Sequence, residues 1–477
     1  MAPDVIPQVK IYTQSDGYYR ILENENLAQS VKTVIDCDIE GAESYILKIT
    51  EKSITLASPT DEGLFRGWQT LKQLAFLSPD GRLACCRIED SPRYRYRGFM
   101  LDSARHMPSV KQIKKMIDAA ALFKFNVFHW HISDDQGFRF ESKKYPLLNE
   151  IGSYRKSSDF GKKHVKERYG GFYTREEMSD IVKYCRDRFI TVIPEIDMPG
   201  HVSSLIASYP YLSCEEKHID VVTKQGIFPD ILCAGKVTTY SFIKDLLDEV
   251  CEVFDGEYIH IGGDEAPKTK WRRCPYCRAK IAKEGLKNEE ELQGFFVNEI
   301  AGYLKSKGKK VICWNESLKS GLADGEITAQ MWMDRDELCI KHANSGGDVI
   351  ISDFYHYYLD YPYGMTPLDK VYNYRIESNK LNAVGRGHII GVETPLWSEY
   401  IDNDKQMEFM FFPRMTAVAE AGWTEESNRD CADYKLRLSK VVTILKKMGI
   451  EPADESFWNV PFYKRIRDIG KHFGILP

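Results

Sequence analysis

From residue 97 onward, short β-type runs alternate with segments of helical periodicity, eight times in succession. The β-type runs cover residues 98–102, 126–132, 190–197, 258–262, 310–314, 327–332, 349–352 and 389–396. Such alternation is typical of βαβ units around a parallel sheet, and eight units are the number that closes an α/β barrel. We therefore predict a (β/α)8 TIM barrel over residues 93–477.

The pattern is different before residue 92. Residues 10–13, 45–50 and 53–57 alternate in polarity, which predicts strands of an antiparallel sheet. Residues 61–77 have apolar positions at helical spacing. We expect a small α+β domain over residues 1–92, in front of the barrel.

Composition and charge exclude several classes of partner. Acidic residues outnumber basic ones by only 70 to 65, so charge gives no basis for binding nucleic acid or an anionic membrane. No run of about 18 apolar residues occurs, and the first residues lack the pattern of a secretion signal. We therefore expect a cytoplasmic protein with neither nucleic acid nor membrane as a partner. The 27 Tyr, 23 Phe and 8 Trp residues suit stacking on sugars or other flat ligands.

The 12 cysteines are scattered through the chain, many of them in apolar runs, which is typical of reduced thiols. Cys274 and Cys277 have C-x-x-C spacing, but a second such pair at zinc-ribbon spacing is missing. The sequence therefore favours ordinary thiols over structural zinc. We expect no metal and no cofactor.

The ends of the predicted barrel strands carry a recurring set of polar and aromatic side chains. In an α/β barrel, catalytic residues lie at the C-terminal ends of strands and in the loops that follow. Any single member could serve only as a helix cap or a loop hydrogen-bonding group, but the recurrence favours a site. The set comprises Asp102, Arg105, Asp134, Asp135, Asp197, His201, Asp264, Glu265, Glu316, Tyr358, Asp360 and Glu399.

The sharpest local signal is His-Ile-Gly-Gly-Asp-Glu at residues 260–265. Two glycines at a strand end allow the backbone to bend and to approach a ligand closely. If the strand stays extended, Asp264 and Glu265 point to opposite faces, which argues against a conventional pair of acid and nucleophile. The pattern suits one general acid with a neighbouring carboxylate in another role. An acidic helix cap would explain one carboxylate but not the two glycines.

Three tryptophans, Trp314, Trp332 and Trp397, come at the ends of predicted barrel strands. A single strand tryptophan is more often a core residue than the wall of a ligand site. Three at one barrel mouth suit a box around a small apolar group or a stacking surface for a pyranose ring.

Over nearly its full length the chain resembles the family 20 glycoside hydrolases, the β-N-acetylhexosaminidases. The resemblance rests on ordered motifs: RGFMLDSARH at 97–106, FHWHISDDQGFR at 128–139, PEIDMPGH at 194–201, HIGGDE at 260–265, WNE at 314–316, YLD at 358–360, LWSE at 396–399 and PRMTAVAEAGW at 413–423. The N-terminal segment is similar to the α+β domain that precedes the barrel in this family. The resemblance implies an exo-acting, retaining enzyme that releases terminal N-acetylglucosamine or N-acetylgalactosamine from amino-sugar glycans or glycoconjugates.

The resemblance also implies substrate-assisted catalysis, in which the 2-acetamido oxygen of the substrate attacks the anomeric carbon and forms an oxazolinium ion. By analogy Glu265 is the acid/base, Asp264 holds the acetamido N–H and Tyr358 donates to the acetamido carbonyl. Asp134 and His201 form a relay that tunes Glu265. The remaining roles are substrate binding: the acetamido methyl pocket of Trp314, Trp332 and Trp397, and the hydroxyl-binding residues Arg105, Asp360 and Glu399.

General acid–base chemistry supports these different roles for Glu265 and Asp264. An acid that works near neutral pH needs a raised pKa, and a dry tryptophan-lined site beside another carboxylate provides it. We therefore expect a raised pKa for Glu265 and an ionised Asp264.

Two other classes remain open on the residues alone. His129 and His131 share one face of a strand, and with His201, His260 and Asp264 they could form the metal site of a barrel amidohydrolase. Against this, His129 and His131 lie before the strand end, where barrel interiors hold packed side chains, which favours core histidines. A catalytically silent sugar-binding barrel is the third possibility, although such a protein needs no general acid.

Overall fold

The computed structural model describes residues 3–21, 27–161, 163–333 and 337–472, and its central feature is a closed barrel of eight parallel strands. The barrel strands, first to eighth, are Tyr96–Asp102, Val127–Asp134, Thr191–Ile196, Tyr258–His260, Lys310–Trp314, Thr328–Met331, Val349–Ile351 and Ile389–Leu396. Each strand pairs with the next, and the eighth pairs with the first, so the ring is complete. The predicted TIM barrel is confirmed.

The barrel strands are recognisable in the sequence because both of their faces are covered. All eight residues of the second strand and all eight of the eighth strand are buried. Strands of this kind are rich in apolar residues throughout and do not alternate in polarity. The fourth strand ends at His260, two residues before its predicted end, because Gly262 and Gly263 have φ angles of 67° and 106°. No extended strand adopts such angles.

Helices surround the barrel and cover the outer faces of its strands. Helix Arg175–Arg186 begins with a capping box, in which Thr174 and Glu177 each accept the backbone N–H of the other. Among the described residues no helix is both long enough and apolar enough to cross a membrane. The helices of this region are Val110–Leu122, Arg175–Arg186, Ser203–Ser208, Val237–Val253, Thr269–Arg273, Pro275–Glu284, Glu289–Ser306, Leu338–Asn344, Leu368–Tyr372, Ala383–Gly387, Asp404–Phe411, Arg414–Trp423, Cys431–Lys447, Glu455–Trp458 and Phe462–His472.

A five-stranded sheet with the helix Asp61–Phe76 against it precedes the barrel. Its strands are Ile11–Arg20, Val31–Ile35, Tyr45–Ile49, Ile54–Ser58 and Arg82–Asp90, arranged in the order first, fifth, third, fourth, second. The prediction of a sheet with one long helix is confirmed, but two strands were missed. The three predicted strands all form antiparallel pairs, whereas the missed strand Val31–Ile35 runs parallel to Ile54–Ser58.

The N-terminal sheet is held to the barrel by a buried polar cluster around Asp90. Lys124, which follows the first barrel helix, places its Nζ 2.8 Å from Asp90 Oδ2. Tyr45 and the indole N–H of Trp423 donate to the same carboxylate, at 2.6 and 3.0 Å. Each of these buried polar groups therefore has a partner, as buried charges require.

Candidate active site

A pocket of about 310 Å³ opens at the C-terminal ends of the barrel strands. Its volume lies at the small end of the range for ligand sites. The structure brings ten of the eleven residues to which the family resemblance gives a role to its wall, whereas Asp102, Asp135, Asp197 and Glu316 do not line it: the ten are Arg105, Asp134, His201, Asp264, Glu265, Trp332, Tyr358, Asp360, Trp397 and Glu399. Trp314, the eleventh, is buried behind the wall, and its ring lies 5.9 Å from that of Trp397.

The Gly-Gly bend brings Asp264 and Glu265 into the same pocket. A Cβ on Gly262 would lie 1.7 Å from Asp197 Oδ1, and one on Gly263 would lie 2.2 Å from Ser317 Oγ. Only glycine allows so close an approach. Glu265 itself has a φ of 43°, an unfavourable angle for a residue with a side chain, and such angles cluster at functional sites. The expectation that the two carboxylates point to opposite faces is therefore wrong, since the strand has ended before them.

His201 lies between two pairs of carboxylates. Its Nδ1 is 3.3 Å from Asp134 Oδ1 and 3.2 Å from Asp135 Oδ2. Its Nε2 is 3.6 Å from Asp264 Oδ2 and 3.5 Å from Glu265 Oε2. Burial opposes a charge on this imidazole, but the surrounding carboxylates, Asp134 foremost, raise the pKa of His201 well above its ordinary value. A cationic imidazole here contacts Asp134 and Asp135 through one nitrogen and Asp264 and Glu265 through the other.

The neighbouring carboxyls of Asp264 and Glu265 differ in how deeply they are buried. The side chain of Asp264 is 12% exposed and that of Glu265 is 30% exposed. Burial raises the pKa of Asp264 to about 7; the cation of His201 opposes this shift, while Glu195 and Glu265 add to it. In the described part of the chain, Asp264 Oδ1 has no hydrogen-bond partner. A buried acceptor without a donor is costly to the fold and is ready to receive an N–H from a ligand.

Arg105, Asp360 and Glu399 line another part of the pocket wall. The Arg105 guanidinium lies 2.7 Å from Asp134 and 3.9 Å from Glu399, and Gln136 accepts its Nε–H at 2.8 Å. Burial raises the pKa of Asp360, and Glu399 raises it further. Among the described atoms Asp360 Oδ1 finds no donor. This part of the pocket therefore offers hydrogen-bond acceptors and one fixed cation.

Aromatic rings form the side wall. Trp332 and Tyr358 are nearly parallel, with ring centres 6.3 Å apart, and Trp397 lies 6.1 Å from Tyr358. Burial raises the pKa of Tyr358 well above its ordinary value, and the carboxyls of Asp264 and Asp360 raise it further. The phenol therefore keeps its proton and acts as a hydrogen-bond donor. Phe354 and Tyr361 pack against these rings and were missed by the sequence prediction.

The barrel interior below the pocket holds a charged network that sequence reasoning also missed. Glu195 accepts the indole N–H of Trp314 at 2.7 Å, binds the Nδ1 atom of His131 and lies 3.0 Å from His260. Glu393 accepts from His129 at 2.8 Å. The signal was available, because both glutamates interrupt apolar barrel strands. This network fixes the position of Trp314 directly behind the pocket.

The same network bears on a metal site built from the strand histidines. Despite burial, the carboxylates of Glu393 and Glu195 raise the pKa of His129 to about 9, and Glu195 raises that of His131 well above its ordinary value. Both rings therefore have carboxylate partners inside the barrel, as buried polar side chains require. The interpretation of His129 and His131 as core histidines with carboxylate partners fits this geometry.

Comparison with known families decides the classification. Residues 94–426 match the model for the catalytic domain of glycosyl hydrolase family 20, and residues 3–91 match the model for domain 2 of the same family. The chain belongs to glycosyl hydrolase family 20. The resemblance read from the sequence motifs is confirmed.

Several named proteins are similar to this family 20 chain. The beta-hexosaminidase of Porphyromonas gingivalis is 39% identical over 428 residues, which cover 86% of this chain and 54% of that protein. The beta-hexosaminidase of Vibrio furnissii is 35% identical over 404 residues, which cover 80% of this chain and 65% of that protein. The chain thus spans less than two thirds of the length of these two relatives. The solved exo beta-N-acetylglucosaminidase of Vibrio harveyi, in complex with N-acetylglucosamine, superimposes with a TM-score of 0.84 at 31% identity, over 95% of this chain and 79% of that one.

Proposed function

We propose that this family 20 chain is an exo-acting, retaining β-N-acetylhexosaminidase that uses substrate-assisted catalysis. The observation that carries the proposal is the convergence of Asp264 and Glu265 on one nitrogen of His201, at 3.6 and 3.5 Å. Two carboxyls on the same side of a pocket do not flank a glycosidic bond as an acid and a nucleophile must. One of them is free to protonate the leaving oxygen, and the other to bind the group that attacks.

Glu265 is the proposed acid/base. It is the more exposed of the two carboxyls, so it faces the side from which the aglycone leaves and water enters. Its proton goes to the glycosidic oxygen in the first step and is recovered from water in the second. His201, whose Nδ1 contacts Asp134, lies 3.5 Å from Glu265, and its positive charge would stabilise the Glu265 carboxylate after the proton has left. Asp134 and His201 are therefore positioning residues in this scheme.

Asp264, Tyr358 and the tryptophans are the proposed acetamido site. The Asp264 Oδ1 atom that lacks a donor in the described protein would accept the acetamido N–H. That bond and the positive charge of the oxazolinium ion both favour the ionised carboxylate, and thereby lower the pKa of Asp264 in the complex. Tyr358, whose phenol keeps its proton, would donate to the acetamido oxygen and aim it at the anomeric carbon. Trp332 and Trp397 would enclose the methyl group, with Trp314 supporting them from behind.

Arg105, Asp360 and Glu399 are the proposed binding site for the hydroxyls of the terminal sugar. They line the same pocket as Glu265, and a pocket of this size suits one sugar ring. Amino-sugar glycans and glycoconjugates are the proposed substrates, and the similar Vibrio harveyi enzyme was solved with N-acetylglucosamine. Hydroxyl-binding groups at the non-reducing sugar would favour removal of one terminal residue at a time.

The proposal predicts strict dependence on the acetamido group. Terminal β-linked N-acetylglucosaminides and N-acetylgalactosaminides should be cleaved, while the matching β-glucosides and β-galactosides should be almost inert. The loss should far exceed the ~1–3 kcal/mol expected for one missing pocket contact, because the attacking atom itself is absent. The measurement is kcat/KM for the four aryl glycosides under one set of conditions. Comparable turnover of the acetamido and hydroxyl substrates would contradict the proposal.

A trapping experiment separates the proposal from a conventional mechanism that uses an enzymic nucleophile. A thiazoline mimic of the oxazolinium ion should bind much more tightly than substrate. Incubation with an activated 2-deoxy-2-fluoro sugar, followed by mass spectrometry of the intact chain, should leave the mass unchanged. A covalent adduct on Asp360, Glu399 or another carboxylate of the pocket would restore the two-carboxylate mechanism.

A further inference from the structure

Four thiols meet beside the barrel, outside the pocket. They belong to three separate parts of the chain: Cys214, Cys233, Cys274 and Cys277. Their sulfur atoms all lie within 4.8 Å of one another. Three of the separations are 3.6, 3.7 and 3.9 Å. We infer that this four-cysteine cluster is a tetrahedral structural zinc site, which would tie together the loops after the third and fourth barrel strands.

Three of the six sulfur separations match the geometry that zinc requires, and the others stay within 4.8 Å. Zinc binds thiolate sulfur at about 2.3 Å, so the edges of a regular ZnS4 tetrahedron are about 3.8 Å long. Three of the four thiols are buried, and Cys214 is partly exposed. All four positions around the ion would be filled by protein sulfur, which is the mark of a structural site and not of a catalytic one.

The backbone around the cluster is shaped to bring the thiols together. Gly235, two residues after Cys233, lies against the backbone that joins Tyr276 to Cys277: a Cβ on Gly235 would lie 2.2 Å from the Tyr276 carbonyl carbon and 2.3 Å from Cys277 N. The Cys233 N–H donates to Leu212 O at 2.8 Å, which holds the Cys233 loop beside the Cys214 segment. Each contact places one thiol-bearing segment directly against another.

The electrostatic setting favours thiolates. Cys274 precedes the first residue of helix Pro275–Glu284 and Cys277 lies in its first turn, where the helix dipole favours negative charge. Lys236 follows shortly after Cys233 and places its Nζ 2.6 Å from Ser213 O, beside the Cys214 segment. Zinc binding would release the thiol protons to solvent and leave a net charge of two negative units, which the helix dipole partly offsets, whereas the Lys236 ammonium is already paired with Glu216 at 2.7 Å.

The site would couple the loops that carry catalytic groups. His201 belongs to the loop after the third strand, and Leu232 N–H donates to Pro199 O at 3.0 Å, so the Cys233 segment is bonded directly to that loop. Cys274 follows nine residues after Glu265. Buried Trp271 donates its indole N–H to Leu232 O at 2.8 Å and joins the two sides. The expectation of no metal relied on the missing second C-x-x-C pair, but the fold supplies the other two thiols from distant positions.

Metal analysis of the intact purified protein tests the proposal. The chain, prepared without chelator, should contain about one zinc ion per molecule by elemental mass spectrometry. Cys277→Ser should reduce the zinc content at least about tenfold, because the remaining three thiols leave the tetrahedron open. Cys185→Ser, which removes an equally buried thiol outside the cluster, should keep the zinc. Zinc retained in Cys277→Ser, or stoichiometric iron in place of zinc, would overturn the proposal.

Three further measurements keep the proposal testable if Cys277→Ser does not fold. Alkylation of the unmodified protein in denaturant with chelator should label all 12 cysteines, whereas two disulfides within the cluster would leave four unlabelled and overturn the proposal. Protein produced with cobalt in place of zinc should show the intense visible absorption of tetrahedral cobalt thiolate. Prolonged chelation should lower the apparent Tm by at least about 5 °C, since the zinc binding energy is part of the folding energy. If all 12 cysteines are labelled but neither cobalt absorption nor bound zinc is found, the cluster is only a packed group of thiols and the zinc proposal is overturned.

Discussion

Glu265→Gln is expected to slow the hydrolysis of substrates with poor leaving groups by ~100-fold or more. The step that forms the oxazolinium ion should be slowed much less for activated aryl glycosides. Glutamine keeps the shape of the side chain but cannot deliver a proton. A dinitrophenolate leaves without protonation, whereas a sugar alkoxide does not. The measurement is kcat/KM across aryl N-acetylglucosaminides of increasing leaving-group pKa, which should give a steeper dependence for the variant than for the unmodified protein.

The second step offers an independent readout of the same residue. Water needs a general base to open the oxazolinium ion, but azide does not. Added azide should therefore accelerate turnover of activated substrates by Glu265→Gln and yield the β-glycosyl azide. Glu316→Gln is the matched control, because Glu316 Oε1 lies 3.3 Å from the backbone N of Glu265 and its side chain does not line the pocket. Equal losses for good and poor leaving groups in Glu265→Gln would remove this residue from the acid role.

The barrel and the members of its site are predictable from sequence for one physical reason. Strands covered on both faces read as dense apolar runs, and polar residues directly after such runs must come to one end of the barrel. The second strand, from Val127 to Asp134, illustrates both features within eight residues. The local sequence therefore carries the position of each side chain along the barrel axis, and ten predicted residues reach one pocket.

The weaker predictions concern elements whose signal is not local. Strand Val31–Ile35 is partly exposed along its whole length, so its sequence lacks the apolar run of a barrel strand. In strand Arg82–Asp90 the adjacent Cys85 and Cys86 are both buried, which breaks the alternation expected of a sheet with one covered face. The sequence also could not show that Trp314 stands behind the pocket wall, since this depends on its bond to Glu195 across the barrel.

The sequence did not reveal the four-cysteine cluster or the turn at Asp264, for a related reason. Zinc motifs are read from short spacings, whereas here a C-x-x-C pair meets thiols that lie 41 and 60 residues before Cys274. The opposed directions expected for Asp264 and Glu265 assumed an extended strand, and the left-handed φ of Glu265 removes that assumption. Burial also opposes the expectation of an ionised Asp264, because it raises the pKa of this carboxyl to about 7 in the free protein.

Asp264→Asn is expected to reduce kcat on acetamido substrates by roughly 100- to 1,000-fold while making the fold more stable at neutral pH. The amide keeps the shape of the side chain, but it cannot offset the charge of the oxazolinium ion. The titratable groups around Asp264 are Glu195, Asp197, His201, Glu265, Glu316 and Tyr358. Because most of them are acidic and the site is dry, the negative charge that catalysis needs is a burden on the folded protein.

The pH dependence of that stability gain follows from the direction of the pKa shift. Burial raises the pKa of Asp264 in the folded protein to about 7, from an ordinary value of 3.8. Below about pH 4 the carboxyl is neutral in both the folded and the unfolded state, so the unmodified protein and Asp264→Asn should differ little in stability. As the pH rises towards 7 the unfolded chain ionises first, and the unmodified protein loses stability relative to Asp264→Asn by about 2–4 kcal/mol, after which the difference stays constant. Denaturant unfolding at pH 4, 6 and 8 measures this difference.

Activity should follow the ionisation of the same group. In the unmodified protein, kcat/KM should fall as the pH is lowered through about 7, because the free enzyme must lose the Asp264 proton before it binds the acetamide productively. The residual activity of Asp264→Asn should lack this acidic limb. Asp197→Asn is the matched control: burial and the nearby Asp264 also raise the pKa of Asp197, yet this side chain does not line the pocket. Asp197→Asn should gain stability with a far smaller loss of kcat than Asp264→Asn. If Asp264→Asn gained stability and kept full activity, the Asp264 charge would stabilise neither the oxazolinium ion nor its formation.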